Sequence, residues 1–411
     1  MPETVEIVEY ATSPPVPLTQ ADLAMLQTIP PERLQVVPTT QSGWFTFRAS
    51  SYVGTVDLDS VRVRINPKVD DLRNVLMMFA SAAGIADWSL RTSDYASDDL
   101  VEGIAELVLR TIDQATRRGL IHGYQTREER LPTLRGRILV GDLATRPWDK
   151  WPVPCRYGDF TAAVPENRVL LATVVAVRRW ALAPSIRRLA TELEGRFIEV
   201  APTEAALPEA ELIRMSPLNE HYQPALALAR TVLEGSGVTH SDGSLDAVAF
   251  LIDMNRLFEA WIGAELSVRL WPAVQVSEQE GMSLSKGPTV RMNPDLVFRA
   301  SGTVVLVGDV KYKLTGSGIA RNADYYQLLA YATATNVELG ILIYCQADEA
   351  PAKTITIEHG GQRLTCHPLP LAGDWRQVNR EVDRLARTIR ALAGSVAEAS
   401  SPQSRQRQRQ S

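Results

Sequence analysis

Cysteine is scarce in this chain. Cys155, Cys345 and Cys366 are the only three in 411 residues. Their wide spacing matches neither a zinc module nor a disulfide framework. They read as packed side chains of a reducing compartment. No apolar run approaches the ~20 residues that span a bilayer, so no membrane partner is expected. The start, Met-Pro-Glu-Thr-Val-Glu, has no basic or apolar leader, and the expected location is the cytoplasm. There is no Gly-x-x-x-x-Gly-Lys-[Ser/Thr] loop, so this chain itself should bind no nucleotide, and there is no Gly-x-Ser-x-Gly elbow. An excess of positive charge is missing too. Lys and Arg total 43 against 48 Asp and Glu, a net charge of −5. Without a global basic footprint, any nucleic acid must be held by a local patch or by a partner.

The richest stretch is Asn293-Pro294-Asp295-Leu296-Val297-Phe298, followed by Val304-Val305-Leu306-Val307-Gly308-Asp309-Val310-Lys311-Tyr312-Lys313. Two β-branched apolar runs flank the turn formers Ala300-Ser301-Gly302, which predicts a β-hairpin. Alternate residues of a strand share a face, so Asp309 and Lys311 point together while Val310 points away. Antiparallel pairing then brings Asp295 beside Asp309. Two acids and an ammonium at one sheet end suit a hard, oxygen-preferring cation such as Mg²⁺ and phosphodiester hydrolysis. Asp and Lys also close buried strands merely because the chain returns to water, and Asp-Val-Lys alone would mean no more. The flanks shift the balance. A helix with Glu259 precedes the hairpin, and one with Gln327 and Tyr331 follows. Glu259 lies among apolar neighbours, where a carboxylate is costly without a partner.

The rest of the chain divides by pattern. Prolines 14, 15, 17, 30, 31 and 38 leave little regular structure in residues 1–40 beyond a short helix near Asp22–Gln27. Strands are expected at 44–47, 52–56 and 61–65, the last with Val61, Val63 and Ile65 inward and Arg62 and Arg64 outward. Helices are expected over 70–83 and 98–118, the latter capped by Ser97 and stopped by Gly119. Residues 124–143 mix strand character with Arg127, Arg130, Arg135 and Arg137, whose default is a solvated face. A short strand over 155–160, helices over 167–183 and 186–193, a loop over 201–217, and helices at 218–234 and 246–270 follow. Strands at 272–277, 290–299 and 303–310, a helix at 322–335 and a strand at 338–345 complete the core. A crossover of that length makes the last strand parallel to its neighbour. A hairpin near 353–368 and an amphipathic helix over 375–393 precede a polar tail, 396–411, expected to be disordered.

Helix, three strands, helix, strand resembles the PD-(D/E)xK nuclease core. The wider set Met254-Asn255-Arg256-Leu257-Phe258-Glu259, Asn293-Pro294-Asp295, Gly308-Asp309-Val310-Lys311-Tyr312-Lys313 and Asp324-Tyr325-Tyr326-Gln327-Leu328-Leu329-Ala330-Tyr331 resembles the McrC family. These are the nuclease subunits of the McrBC 5-methylcytosine-specific restriction system. Tyr52-Val53-Gly54, Ile65-Asn66-Pro67-Lys68, Leu134-Arg135-Gly136-Arg137 and Glu166-Asn167-Arg168 extend the likeness over most of residues 45–345. It implies an α+β, α/β chain: a strand-rich N-terminal domain, then a restriction-endonuclease-like core of mixed β-sheet flanked by helices. It also implies catalysis by Asp295, Asp309, Lys311, Glu259, Gln327 and Tyr331. One or two Mg²⁺ ions would be bound by Asp295, Asp309, the Val310 carbonyl and Glu259. The partners would be a McrB-like AAA+ GTPase ring, whose hydrolysis this chain would stimulate, and double-stranded, methylated DNA.

Residues 1–160 are expected to engage the ring, with the arginines at 62, 64, 127, 130, 135 and 137 meeting acidic surfaces. Residues 161–395 would form a helical connector and the nuclease domain. Two alternatives stand beside this division: a self-sufficient nuclease, and a non-catalytic regulator of the ring with a vestigial site.

Overall fold

The computed structural model describes residues 3–69, 71–85, 99–145, 148–149, 151–180, 182–203, 205–236, 248–284, 291–313, 322–346 and 351–399. By their contacts the residues fall into two units, one of 1–103, 242–247 and 251–411, the other of 104–241 and 248–250. A boundary at residue 160 does not coincide with this division. Residues 1–103 share a unit with the expected nuclease half, and only 104–160 of the N-terminal part stand in the other.

The first unit holds a four-stranded, a three-stranded and a six-stranded sheet and the short pair Met282–Ser283 with Arg291–Met292. A four-stranded sheet has the order Glu3–Val8, Val61–Asn66, Tyr52–Asp57, Val248–Asp253. Its first pair is parallel and its second is an antiparallel hairpin. Val61, Val63 and Ile65 are buried, as their alternation requires. The prolines at 14, 15, 17, 30, 31 and 38 did not prevent regular structure before residue 40. Glu3–Val8 lies ahead of the first of them. Val16–Pro17 and Leu34–Pro38 flank Trp44–Ala49 in a three-stranded sheet, where Pro occupies strand ends.

The six-stranded sheet runs Gln275–Glu278, Leu296–Ala300, Thr303–Lys311, Leu339–Gln346, Arg363–Pro370, Lys353–Thr356. The 303–311 and 339–346 strands pair in parallel, as the crossover through the helix Asn322–Thr335 predicts. Residues 339–346 are buried throughout, the signature of a strand covered on both faces. Met254–Leu270 and Trp375–Ala399 pack against this sheet, and Leu72–Ala82 packs against both of those helices. The last helix continues to Ala399, past the expected tail start at 396; residues 400–411 lie outside the described residues.

The second unit holds the antiparallel strands Gly123–Leu131, Val153–Thr161 and Arg137–Ile138. It also holds the helices Pro165–Arg178, Pro184–Arg196, Ala206–Leu212 and Gln223–Gly235. Ala206–Leu212 forms within the stretch expected to be a loop. Its buried Ala206 and Ala210 dock one helical turn into the bundle, and this tertiary packing overrides the local Pro208 signal. The expected helix over 246–270 is also corrected. Val248–Asp253 is a strand, and Asp253 then caps the helix by accepting the Asn255 N–H. An all-apolar run reads alike as strand or helix, and Asp253 was the missed stop signal. The Leu100–Thr116 helix ends at Gly119 with φ +105°, whereas the expected cap Ser97 lies outside the described residues.

Candidate active site

The site is made by strand register. Leu296 faces Gly308 across the hairpin, so Asp295, one step before its strand, stands level with Asp309. Gly308 allows the strands to close here. A Cβ would lie 3.1 Å from the Phe298 ring and 3.2 Å from the Leu296 Cβ. Asp295 accepts the Val310 N–H at 2.8 Å. One of its oxygens thus fixes the backbone between Asp309 and Lys311. Val310 was expected to offer its carbonyl; its amide is what the structure ties to an acid.

Asp309 is fully buried. The Lys311 ammonium lies 2.8 Å from its carboxylate and 3.7 Å from Asp295. Asp309 Oδ1 accepts that hydrogen bond. Oδ2 is in ion-pair contact but accepts no hydrogen bond of its own. Burial raises the Asp309 pKa, opposed by Lys311 and assisted by Asp295. Burial works against the Lys311 ammonium, but Asp309, Asp295 and Glu259 together hold its pKa above the usual lysine value. Glu259, on the 254–270 helix, is pushed up to about 7, first by burial and then by Asp295. Three carboxylates therefore share one ammonium in a water-poor corner, an arrangement short of positive charge.

Those observations fit a hard divalent cation. The donors are all oxygens, one buried oxygen lacks a hydrogen bond, and two carboxyls are costly to ionise without added charge. Yet among the described residues no three His, Cys, Asp or Glu side chains already stand close enough to enclose an ion. The Lys311 ammonium instead bridges Asp309 and Asp295.

The 322–335 helix contributes as its spacing predicts. Gln327 Nε2 donates to the Tyr331 hydroxyl at 2.6 Å. Burial raises the Tyr331 pKa, with Gln327 opposing and Asp309 and Asp295 adding to the rise. The structure thus places Asp295, Asp309, Lys311, Glu259 and Tyr331 in one electrostatic neighbourhood, with Gln327 attached through Tyr331.

Sequence reasoning missed a second group at the same sheet end. Asp324 is buried, accepts from Lys313 at 3.1 Å, and takes a short hydrogen bond from the Tyr344 hydroxyl. Despite burial, those bonds and the Lys313 charge hold its pKa below the usual value. Lys313 and Asp324 sit inside the quoted motifs, but only the parallel pairing of Lys311 with Tyr344 shows which partner they share. The cysteines are all buried, and burial pushes the Cys345 thiol up to about 12, so packing accounts for it.

The six arginines expected to face a partner are largely engaged within the chain. Arg62 pairs with Asp57, Arg64 with Glu6 and Asp99, Arg127 and Arg135 with Asp159, and Arg130 with Asp149. Arg137 lies exposed at the edge of the 123–161 sheet.

Comparison with known proteins places these features in a family. Residues 47–345 match the family described as McrBC 5-methylcytosine restriction system component. Among solved structures, the chain resembles one from the half-complex of a tetradecameric assembly of Thermococcus gammatolerans McrB AAA+ hexamers with bound McrC. The identity is 16%, the TM-score 0.56, and the match covers 94% of this chain and 100% of the other. A chain of the T. gammatolerans McrBC complex matches at 19% identity and TM-score 0.43, covering 65% of this chain and 88% of the other. No curated protein matches. Since the family match runs from residue 47 to residue 345, the chain belongs to the McrBC 5-methylcytosine restriction system component family.

Proposed function

We propose that this chain is the DNA-cutting subunit of a modification-dependent restriction system and that its six-stranded sheet is a PD-(D/E)xK nuclease core. The observation that carries this is the register-made cluster of Asp295, Asp309 and Lys311, with Glu259 facing it from the 254–270 helix. Asp295, Asp309 and Glu259 would hold Mg²⁺. A bound Mg²⁺ supplies Lewis acidity toward the scissile phosphate and a water of lowered pKa. Lys311 supplies a fixed positive charge where negative charge develops on the phosphate. Asp295, by gripping the Val310 N–H, keeps the Asp309 and Lys311 side chains on one face. Gln327 and Tyr331 orient the approach to the acids from the neighbouring helix.

A McrB-like GTPase ring is the proposed partner, as the neighbour containing McrB hexamers with bound McrC makes reasonable for a member of this family. We place ring engagement in residues 104–160, the part of the expected N-terminal domain that lies outside the site-bearing unit. There Tyr124, Trp148, Trp151 and Phe160 are exposed, and the Tyr124 and Phe160 rings meet at a tilt with their centres 5.1 Å apart. Exposed aromatics of this kind are enriched at protein interfaces. With Arg127, Arg130 and Arg135 already paired, aromatic contact outweighs charge.

The test is plasmid cleavage by the purified chain, alone and with its ring partner, on methylated and unmethylated DNA with GTP and Mg²⁺. Cutting of methylated DNA by the complex only, stopped by chelation and by Asp309→Ala, is the expected result. Undiminished cutting by the Asp309→Ala complex would sink the assignment. Cutting by the chain alone would favour a self-sufficient nuclease.

A further inference from the structure

The Ile65-Asn66-Pro67-Lys68 segment has no place in the site as described, yet Lys68 reaches it. Its ammonium donates to the Tyr312 carbonyl at 3.1 Å and lies 3.8 Å from the centre of the Tyr312 ring. Glu9, buried at the end of the first strand, accepts the Tyr312 hydroxyl at 2.7 Å and the Lys68 N–H at 2.8 Å with the same oxygen. The Glu9 N–H also bonds to the Asn66 carbonyl at 2.9 Å, two residues before Lys68. All of these bonds to the strand end land on Tyr312, the residue after Lys311.

That location matters because the sheet ladder stops there. The last pair of the 303–311 strand with its parallel neighbour is Lys311 with Tyr344. Asp309 lies within the ladder and beside the Asp295 bond, whereas Lys311 is the terminal residue. The Lys68 bond to the Tyr312 carbonyl holds the backbone just beyond it. The four-stranded sheet, whose strand ends carry Glu9 and Lys68, also anchors the helix bearing Glu259. Ser51 donates to Asp253 at 3.0 Å, and the Met254 N–H bonds to the Ser51 carbonyl at 2.9 Å. The Tyr312 ring in turn packs 5.7 Å from Phe258, the residue before Glu259.

Stability alone accounts poorly for the clamp. Burial raises the Glu9 pKa and lowers that of Lys68, so both charges are held at a cost. Glu9 Oε2 is buried without a hydrogen bond. Buried charges seldom outperform apolar packing of the same volume, but the hydrogen bonds they make fix geometry.

We propose that Glu9 and Lys68 are positioning residues of the nuclease site, clamping Tyr312 so that the strand end presents Lys311 beside Asp309. This rests on the nuclease function proposed above. The test uses the full chain assembled with its ring partner, GTP and methylated plasmid, comparing Lys68→Met, Lys68→Arg, Tyr312→Phe and Asp309→Ala. At saturating Mg²⁺, Lys68→Met should slow cleavage by about tenfold to a hundredfold, the scale on which small misplacements act. Half-saturating Mg²⁺ and stimulation of GTP hydrolysis should stay within about twofold, because the clamp acts on a step after binding. Lys68→Arg, which keeps a cation and a donor, should recover most of the rate. Tyr312→Phe keeps the ring and loses only the bond to Glu9, and should slow cleavage by about threefold with an almost unchanged melting temperature.

Wild-type rates for Lys68→Met and Tyr312→Phe alongside a silent Asp309→Ala would overturn the clamp and leave the nuclease assignment intact. Parallel losses of cleavage, GTPase stimulation and melting temperature in both would also overturn it, as an ordinary structural role. Should Lys68→Met fail to fold, Tyr312→Phe decides alone. Cleavage by Asp309→Ala would remove the nuclease assignment and the clamp with it, through a signature neither variant can mimic.

Discussion

Two regions of this molecule use the same residue types to opposite ends. At the end of the six-stranded sheet, Asp309, Glu259 and Lys311 are packed so closely and dryly beside Asp295 that burial and neighbouring charge shift their protonation. On the 123–161 sheet, Arg127, Arg130, Arg135, Asp149 and Asp159 pair across half-exposed strands. Pairs in the second setting contribute little, about 0–1 kcal/mol each, because water competes for them. Charge becomes chemistry only where the fold excludes water and register forces like charges together.

The largest expected effect breaks the first side of that comparison. Lys311→Ala should reduce cleavage by about a thousandfold or more, the scale of removing a preorganised transition-state charge. It should also leave Asp309 buried without its cation, so melting should fall, by about 3–5 kcal/mol in the usual range for a broken buried pair. Calorimetry and plasmid cleavage on one preparation check both.

Glu259 gives the pH dependence. Its pKa is raised from 4.5 to about 7, so the folded state binds its proton more tightly than the unfolded state does. The stability this contributes is fully present below pH 4.5 and is lost as pH rises through about 7. The metal-free chain should therefore melt lower at pH 8 than at pH 5. Glu259→Gln should remove roughly 1–3 kcal/mol of that slope, a figure discounted for the partial exposure of the group. A slope unchanged in Glu259→Gln would mean the carboxyl is better solvated than its surroundings indicate.

A smaller effect is expected where aromatics replace charge. Tyr124→Ala combined with Phe160→Ala should reduce stimulation of the partner GTPase by about tenfold, each residue acting as an interface anchor. The melting temperature should hardly move, since both side chains are exposed. The smallest effect is the control. Asp159→Ala should change stability by less than about 1 kcal/mol, although it frees two arginines, because exposed pairs contribute little.

Much of the site-bearing half was legible because its signals are local. Antiparallel pairing brings Asp295 and Asp309 to one sheet end, their level register being set by a two-residue turn and a bulge after Phe298, and Gln327 meets Tyr331 from helical spacing. The crossover length gave the parallel strand. What escaped was set by distant packing. Glu9 and Tyr312 stand 303 positions apart, and no periodicity links them. The arginines at 62, 64, 127, 130 and 135 showed on the sequence as an outward cationic face. Their acidic partners come from neighbouring strands, turns and loops, which a pattern along one strand cannot reveal. The 248–253 strand escaped for a third reason, since a fully apolar run carries no period at all.

The discontinuity of the first unit has a consequence for biosynthesis. Residues 104–241 form a contiguous stretch and can collapse on their own contacts as they leave the ribosome. The strands Glu3–Val8, Tyr52–Asp57 and Val61–Asn66 are made early, but Tyr312, which Glu9 grips, arrives after three quarters of the chain, and the strand Arg363–Pro370 later still. Contacts of such sequence separation form slowly. The proposed cutting centre is thus among the last parts of the molecule to close, after the segment proposed to meet the ring has already been made. A nascent or truncated chain would carry that segment without a finished blade.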